Sequence, residues 1–396
     1  MKALLVERSA PRFATARMAS AWRAGGGAHH GALRLAHTDP PSPPGPGWSR
    51  VRPLLAGICG SDLATVDARS SRWFEPLVSF PFVPGHEVVG VDDQGRRVVV
   101  QPVLGCEARG VEPLCPACAS GASNRCRNLV AGHLRPGLQT GYCADTGGGW
   151  SAELVAHDSQ LHLVPEGWTD EAAVMVEPMA CAVHGALSVP AGARSVAVVG
   201  AGTLGLGVVA ALSRLRPELS EVIAAGRYPH QRRLASGLGA STVVSPEDLS
   251  RAARCSTASW LLGNGQLTGG VDAVVDCVGS AASLAGALAV VAPGGTLVLV
   301  GMPGQVQVDL TPLWQREVHL VGAYAYAGEA AVGGRHSFEL AMELVEAARL
   351  DRLVSAAYPL ERFADAIDHA AAAGRRGAVK IVFDLRRPDR HPGRND

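Results

Sequence analysis

Ser195-Val196-Ala197-Val198-Val199-Gly200-Ala201-Gly202-Thr203-Leu204-Gly205 is the stretch whose reading decides the fold. Ser195 to Val199 reads as a short buried strand. At Gly200 the texture changes, and the apolar run continues to Leu212 with helical spacing. A G-x-G-x-x-G placed between a strand and a helix suits a nucleotide. The first glycine permits the tight turn, the second lets backbone approach a pyrophosphate, and the third packs helix on strand, with the phosphate at the helix N-terminus. Gly200, Gly202, Thr203, Leu204 and Gly205 are therefore candidate cofactor residues. The motif alone also fits a glycine-rich turn in an unrelated sheet. What favours the nucleotide is its place in a region of alternating strands and helices.

That alternation runs from Ser195 to about Tyr324. Further strands are expected at Val222–Ala225, Val271–Cys277, Thr296–Gly301 and Val318–Val321, punctuated by turns such as Pro293-Gly294-Gly295. This is the rhythm of a doubly wound parallel sheet. The end of the second strand bears on the cofactor. An NAD site would place Asp or Glu there for the ribose 2′-hydroxyl. Here Val222–Ala225 runs into Gly226-Arg227-Tyr228, with no carboxylate. Arg227 can pair with a 2′-phosphate, which favours NADP over NAD. Arg232 and Arg233 either assist or form an exposed helix face. Beyond Gly322 we expect a helix at Phe338–Arg349, a second after Pro359-Leu360-Glu361 to about Ala373, and a last strand at Val379–Phe383. The polar tail from Arg386 is expected to be disordered. No internal repeat is seen.

Upstream, Met1 to Val6 reads as a first strand. Residues 7–36, rich in Ala, Arg and Gly without a clear period, are expected to form an extended excursion. Pro40–Gly47 is a turn-rich link that cannot be helical. Residues 48–103 read as short strands of a barrel-like β domain, Arg96–Val103 among them. Residues 104–150 form a lobe rather than a core. Thr169-Asp170-Glu171 starts a helical run through Leu187.

Metal-ligand residues occupy this upstream half. Cys106, Cys115, Cys118 and Cys126 are spaced C-x8-C-x2-C-x7-C. Four thiolates close a tetrahedral shell around zinc and leave no open position, so such a metal would hold a loop and do no chemistry. A different set is Cys59, at the turn Gly57–Asp62, with His86-Glu87 after Pro84-Gly85, and Glu177 in Val176-Glu177-Pro178-Met179. Three protein ligands and an open position are the form of a catalytic zinc, a Lewis acid for a carbonyl or alcohol. Taken singly, Cys59 reads as a buried thiol and His86-Glu87 as a surface turn; the combination points to a metal. His184 and Cys181 read as packing residues of the Glu177 helix. Trp73, Phe74 and Phe80 suit either the substrate cleft or ordinary packing.

The bulk numbers exclude several function classes. The chain has 396 residues, room for two full cores. Only 18% are charged, Lys+Arg equals Asp+Glu at 36 each, and the balance argues against nucleic-acid or membrane-surface partners. Ser195–Leu212 is long and apolar enough to suggest a membrane span, but its glycines and its strand-to-helix switch fit buried elements better. Nine cysteines without an export signal suggest a reducing compartment, so a cytoplasmic location is expected.

With these motifs in hand, the chain resembles the zinc-dependent medium-chain dehydrogenase/reductases, particularly the threonine- and sorbitol-dehydrogenase-like members. The resemblance covers nearly the whole chain. It implies an α/β protein: a GroES-like β-barrel catalytic domain (1–187, with a structural zinc lobe at about 104–130), a doubly wound Rossmann domain (188–323), and a C-terminal return to the first domain (324–396). It implies two zinc ions per chain, one on the four lobe cysteines. At the other, Cys59 and His86 are ligands and Glu87 and Glu177 the acidic ligands, one or both binding at a given stage. It implies that Asp62 orients His86 and that Ser61 takes the substrate's hydroxyl proton. Two features depart from the family. Eight residues separate Cys106 from Cys115 where two are usual, so Glu107–Leu114 is expected to bulge outward. Ala64 stands where many relatives carry a proton-relay histidine. The expected function is hydride transfer between NADP(H) and a small alcohol or carbonyl substrate. The alternatives are NADPH-dependent reduction of an imine or C=C bond and, in another class, a non-catalytic nucleotide-binding protein. A homodimer or homotetramer is expected from the resemblance.

Overall fold

The computed structural model describes residues 1–263 and 265–386. Six parallel strands form one sheet, in the order Thr242–Val244, Glu221–Ala225, Ser195–Val199, Val271–Asp276, Val291–Leu299 and His319–Gly322. In chain order this is 3-2-1-4-5-6. The order reverses beside Ser195–Val199, and a crevice opens there at the carboxyl ends of the strands. The side chains of Ser195–Val199 explain why the sheet is covered on both faces. Val196 and Val198 join a core with Leu206, Met179 and Leu344. Ala197 and Val199 join another with Leu249, Leu284 and Leu288. Strands buried on both sides read as continuous apolar runs, and this one does.

The second sheet orders Val354–Tyr358, Lys380–Asp384, Trp48–Gly57, Val88–Asp92, Arg97–Val100 and Leu161–Leu163, with Leu154–His157 also pairing Trp48–Gly57. Every pair is antiparallel except the first. Chain order matters here. Lys380–Asp384 returns after the whole parallel sheet has been built and pairs Val382 with Gly57. It thereby brings residues from the far end of the chain beside Cys59. The expected plan, a β domain with a doubly wound sheet and a C-terminal return, is the one observed.

Three expectations are corrected. Residues 7–36 are not extended: Ala10–Trp22 and Gly27–His30 are helices, and Leu33–His37 pairs antiparallel with Lys2–Val6. Ala, Arg and Met favour a helix, and Pro11 is tolerated in its first turn. Only Ala16 and Ser20 of the longer helix are buried, so it carries no apolar stripe to read. The run before Leu187 is two helices, Asp170–Ala173 and Val176–Leu187, with Pro178 in the first turn of the second. The turn Pro293-Gly294-Gly295 lies inside the strand Val291–Leu299. Val271 pairs with Val291 but Ala273 with Thr296, so the turn loops out as a bulge. Of the polar tail, only Arg386 falls among the described residues. Ser195–Leu212 is a strand and part of a helix, and no helix among the described residues is long and apolar enough to cross a membrane.

Candidate active site and metal centres

Cys59 caps the helix Gly60–Val66, and its backbone N–H donates to Asp62 Oδ2 at 2.9 Å. His86 and Glu87 follow a turn that only glycine can make. Gly85 has φ +93°, and a Cβ there would fall 2.3 Å from Trp150 Cδ1. The Trp150 indole in turn donates to Gly57 O at 3.1 Å. Gly57 is equally constrained, since a Cβ would meet Glu87 Oε2 at 1.8 Å. The glycines of both motifs are thus there to let the ligand-type side chains converge.

They do converge. One donor atom each from Cys59, His86 and Glu87 lies within 4.8 Å of the others. His86 and Glu87 are 4% and 1% exposed. His86 Nδ1 is 3.5 Å from Asp62 Oδ1. Burial disfavours the imidazolium, but the Asp62 carboxylate outweighs it and holds the His86 pKa well above its ordinary value. Ser61 Oγ is buried without a partner in the protein, while the buried Asp62 Oδ1, His86 Nδ1 and Glu87 Oε2 have only ion-pair partners. A thiol, an imidazole and a carboxylate meeting at one point fit a zinc ion.

Glu177 lies on Val176–Leu187, buried, just outside that trio. It accepts a hydrogen bond from Cys181 Sγ at 3.7 Å. Burial pushes its pKa up to about 7, resisted by His86 and aided by Glu87. Cys181, read as a packing thiol, therefore faces the site. His184 is a packed helix histidine as expected, with Nδ1 2.8 Å from Glu329 Oε1. Phe80 packs on Phe82, while Trp73 is 80% exposed.

Two residues of the site escaped the sequence reading. Lys380 is 2% exposed; its ammonium is ion-paired to Glu87 Oε2 and donates to Ile58 O at 3.2 Å. Burial works to lower its pKa, but Glu87 and Cys59 outweigh it and the net shift is upward. A lysine inside the apolar strand Val379–Phe383 was the available signal. Tyr142 lies between Phe82 and His86, with ring centroids at 5.3 and 6.1 Å. It carried no motif.

On the cofactor side, Gly200 has φ +93°, and a Cβ on Gly205 would fall 1.7 Å from Gly200 O. Gly202 caps the helix Thr203–Leu215 with no side-chain hydrogen bond. The N–H groups of that first turn face a cavity of about 210 Å³ lined by Gly202, Thr203, Gln231, Gly374, Val379 and Ile58. Thr203 Oγ1 donates to Val379 O at 3.4 Å. Arg227 is exposed just beyond Glu221–Ala225. Arg232 is committed to the turn, donating to Gly226 O at 2.7 Å and Arg227 O at 3.1 Å. Arg233 is exposed.

The four lobe cysteines bring their sulfurs within 4.8 Å of one another, and all four are free thiols. Backbone N–H groups point at them: Cys115 N to Cys106 Sγ at 3.4 Å, Cys106 N to Cys118 Sγ at 3.5 Å, and Asn128 N to Cys126 Sγ at 3.3 Å. The insertion Glu107–Leu114 does not simply bulge outward. Its first half folds in, leaving Ala108 and Arg109 1% and 0% exposed. The Arg109 guanidinium binds the carbonyls of Leu104, Ala131, Leu134, Arg135 and Gly137. Five donors in a fixed fork suit that many backbone acceptors.

Comparison with known proteins finds dehydrogenases. Residues 45–166 match the alcohol dehydrogenase GroES-like domain, and residues 204–347 match the zinc-binding dehydrogenase domain. L-threonine 3-dehydrogenase of Pyrococcus horikoshii is 28% identical over 367 residues, covering 89% of this chain and 95% of the relative. Sorbitol dehydrogenase of Bacillus subtilis is 26% identical over 335 residues, covering 81% and 85%. A solved zinc-binding dehydrogenase from Sinorhizobium meliloti, bound to NADP, shares the fold with a TM-score of 0.68 and 26% identity, covering 89% and 96%.

Proposed function

The chain belongs to the zinc-dependent medium-chain dehydrogenases of the alcohol dehydrogenase superfamily, and on that premise we propose that it interconverts a small alcohol and its carbonyl using NADP(H). The observation that carries the site assignment is the convergence of one donor atom each from Cys59, His86 and Glu87 within 4.8 Å, with Ser61 Oγ buried beside them and unpartnered. In this reading the three hold a zinc ion, with Glu177 as the alternative acidic ligand. Once bound, zinc supplies a Lewis acid at the substrate oxygen and the nicotinamide a hydride partner. Asp62 orients the His86 ring, as a carboxylate behind a metal-binding imidazole does. Ser61 takes the hydroxyl proton. Lys380 balances Glu87 whenever that carboxylate is off the metal. A second zinc sits on Cys106, Cys115, Cys118 and Cys126 and fixes the lobe.

The N-terminus of Thr203–Leu215 would hold the cofactor's pyrophosphate, and Arg227 would take the adenosine ribose with its 2′-phosphate. The absence of a carboxylate after Glu221–Ala225 supports NADP, and so does the nucleotide bound by the Sinorhizobium relative. The same reading divides the chain at about residues 187 and 323. It also pairs two copies through the edge strand His319–Gly322, where Leu320 is 50% exposed.

The test is absorbance at the reduced-nicotinamide band with zinc-loaded enzyme, both cofactors, and a panel of primary, secondary, polyol and amino alcohols. Turnover with NADP is expected, and Cys59→Ser should lose one of two zinc ions with all turnover. Silence across the panel, or full zinc content and rate in Cys59→Ser, would overturn the assignment.

A further inference from the structure

Oxidising an alcohol removes a hydride from carbon and a proton from oxygen. The nicotinamide takes the hydride alone, so the proton has to reach water by another path. The path is a real question here, because His86, Glu87 and Ser61 Oγ are buried and Ala64 offers no titratable group after Ser61.

Hydroxyl groups are placed along one line. Ser61 Oγ is buried at the site and has no hydrogen-bond partner in the protein. Thr65 Oγ1 ties Tyr142 to the Ser61 end of the helix, donating to Ser61 O at 3.0 Å and lying 3.4 Å from Tyr142 Oη. Thr65 Oγ1 is also 3.1 Å from Ser70 Oγ. Ser70 is exposed. Ser61 and Thr65 stand one turn apart on the helix Gly60–Val66, so their side chains share a face. The Tyr142 ring is braced from behind. Phe82 packs on it at 5.3 Å, Phe80 on Phe82 at 5.3 Å, and Phe13 on Phe80 at 6.3 Å. Phe13 comes from the helix Ala10–Trp22, the segment that sequence reading took for an extended excursion.

We propose that Ser61, Tyr142, Thr65 and Ser70 form a hydroxyl relay that carries the substrate's proton from the buried site to water. The proposal rests on the dehydrogenase reading above. As the substrate O–H bond breaks, its proton bonds to Ser61 Oγ. The Ser61 proton moves to Tyr142 Oη, the Tyr142 proton to Thr65 Oγ1, the Thr65 proton to Ser70 Oγ, and the Ser70 proton to water. Each hydroxyl loses one O–H bond and gains another, so none ends ionised, and one proton leaves for each hydride transferred. The resting geometry needs two small adjustments. Thr65 Oγ1 donates to Ser61 O at 3.0 Å and has to rotate toward Ser70. The Tyr142–Thr65 pair has to close to about 2.8 Å, the usual O–H···O distance. Lys380 offers no second exit. It is 2% exposed and ends at Glu87 and Ile58 O.

The test uses 2,2,2-trifluoroethanol, whose hydroxyl proton is acidic and whose hydride is hard to remove. Zinc-loaded enzyme with NADP is mixed with it in weak buffer containing phenol red, and proton release is followed by stopped flow. Binding is measured separately by calorimetry. Wild type should release up to one proton per subunit. Tyr142→Phe and Thr65→Val should bind trifluoroethanol within threefold of wild type but release the proton about a hundredfold more slowly, the low end of what positioned proton transfer contributes. Thr65→Ser should restore the wild-type rate. Wild-type release rates in Tyr142→Phe, or in Thr65→Val should Tyr142→Phe not fold, would overturn the relay and leave the dehydrogenase reading standing. If wild type neither binds trifluoroethanol nor releases a proton, the alcohol site itself is wrong and the relay falls with it.

Discussion

Lys380→Met tests whether the buried lysine stands in for the metal. In the metal-free protein, Lys380 and Glu87 are 2% and 1% exposed and ion-paired. Methionine keeps most of the stem and removes the charge. It leaves Glu87 buried, unpaired, and beside Cys59. Breaking one side of a buried pair costs about 3–5 kcal/mol. With zinc present, the metal's own charge compensates Glu87, and the cost should shrink to about 1 kcal/mol, the lost hydrogen bond to Ile58 O. Linkage then fixes a second result. If the metal-free protein loses roughly 2–4 kcal/mol more than the loaded one, zinc binds the variant some 30- to 700-fold tighter, since each 1.4 kcal/mol is a factor of ten. The assays are urea unfolding of the metal-free and zinc-loaded proteins, and competition for zinc against a chromophoric chelator. Glu87→Gln/Lys380→Met completes a double-mutant cycle and should be more stable, metal-free, than the sum of the single losses. Equal losses with and without zinc, or strict additivity in the cycle, would refute the compensation.

Four shorter predictions bear on the rest of the molecule. Gly205→Ala should abolish NADPH binding by fluorescence titration, because a Cβ 1.7 Å from Gly200 O forces the pyrophosphate turn open. Arg227→Ala should weaken NADPH binding about tenfold, in the range of a charge-assisted contact of 1.5–3 kcal/mol, and leave NADH binding unchanged. Arg109→Met should strand the carbonyls that the guanidinium binds between Leu104 and Gly137; faster proteolysis of the lobe and loss of one zinc per chain are the readouts. His162 gives a pH dependence. Its Nε2 lies 2.9 Å from Gln101 Oε1, its ring stacks on Phe338, and burial lowers its pKa to about 4. Its neutral form is favoured by the fold, so its contribution is complete above pH 6.5 and is lost as pH falls toward 4. Between pH 7 and pH 5 that is about 2 kcal/mol, and His162→Gln should flatten this part of the urea-stability profile.

What could be read from the sequence was what local chemistry decides. Gly200–Gly205 announced itself because a tight turn, a close backbone approach and a helix cap lie within six residues. Thr169 announced a helix because its hydroxyl caps Ala172 N. The four lobe cysteines lie within 21 residues and converge as their spacing suggested. The misses share a different cause. Ala10–Trp22 has helix propensity but buries almost nothing, so periodicity had no stripe to detect. Tyr142 reaches the site only because Phe82 and Phe80 hold it there, and that depends on tertiary packing. Glu177 was placed with the metal ligands by motif. Its position just beyond the trio follows from how Val176–Leu187 packs, which no local pattern encodes.

Lys380 and Arg109 show what that limit means electrostatically. Each is a cation buried almost completely, and each stands beside a set of metal-type ligands whose combined charge is negative once the thiols ionise. Lys380 meets Glu87 and Cys59. Arg109 makes no hydrogen bond to a carboxylate among the described residues; it binds carbonyls and feels Cys143, Cys126, Asp145 and Cys106. A zinc ion on four thiolates would carry a net charge of −2, which the backbone N–H groups aimed at the sulfurs and a nearby cation both offset. In the proposed reading Arg109 is that cation. The long Cys106–Cys115 spacing is what supplies this buried guanidinium to the lobe. The ligands of such a centre are legible as a motif because the metal dictates their type and spacing. The cation that makes the centre tolerable can come from any segment that reaches it, and here one comes from an insertion and the other from the last strand of the chain.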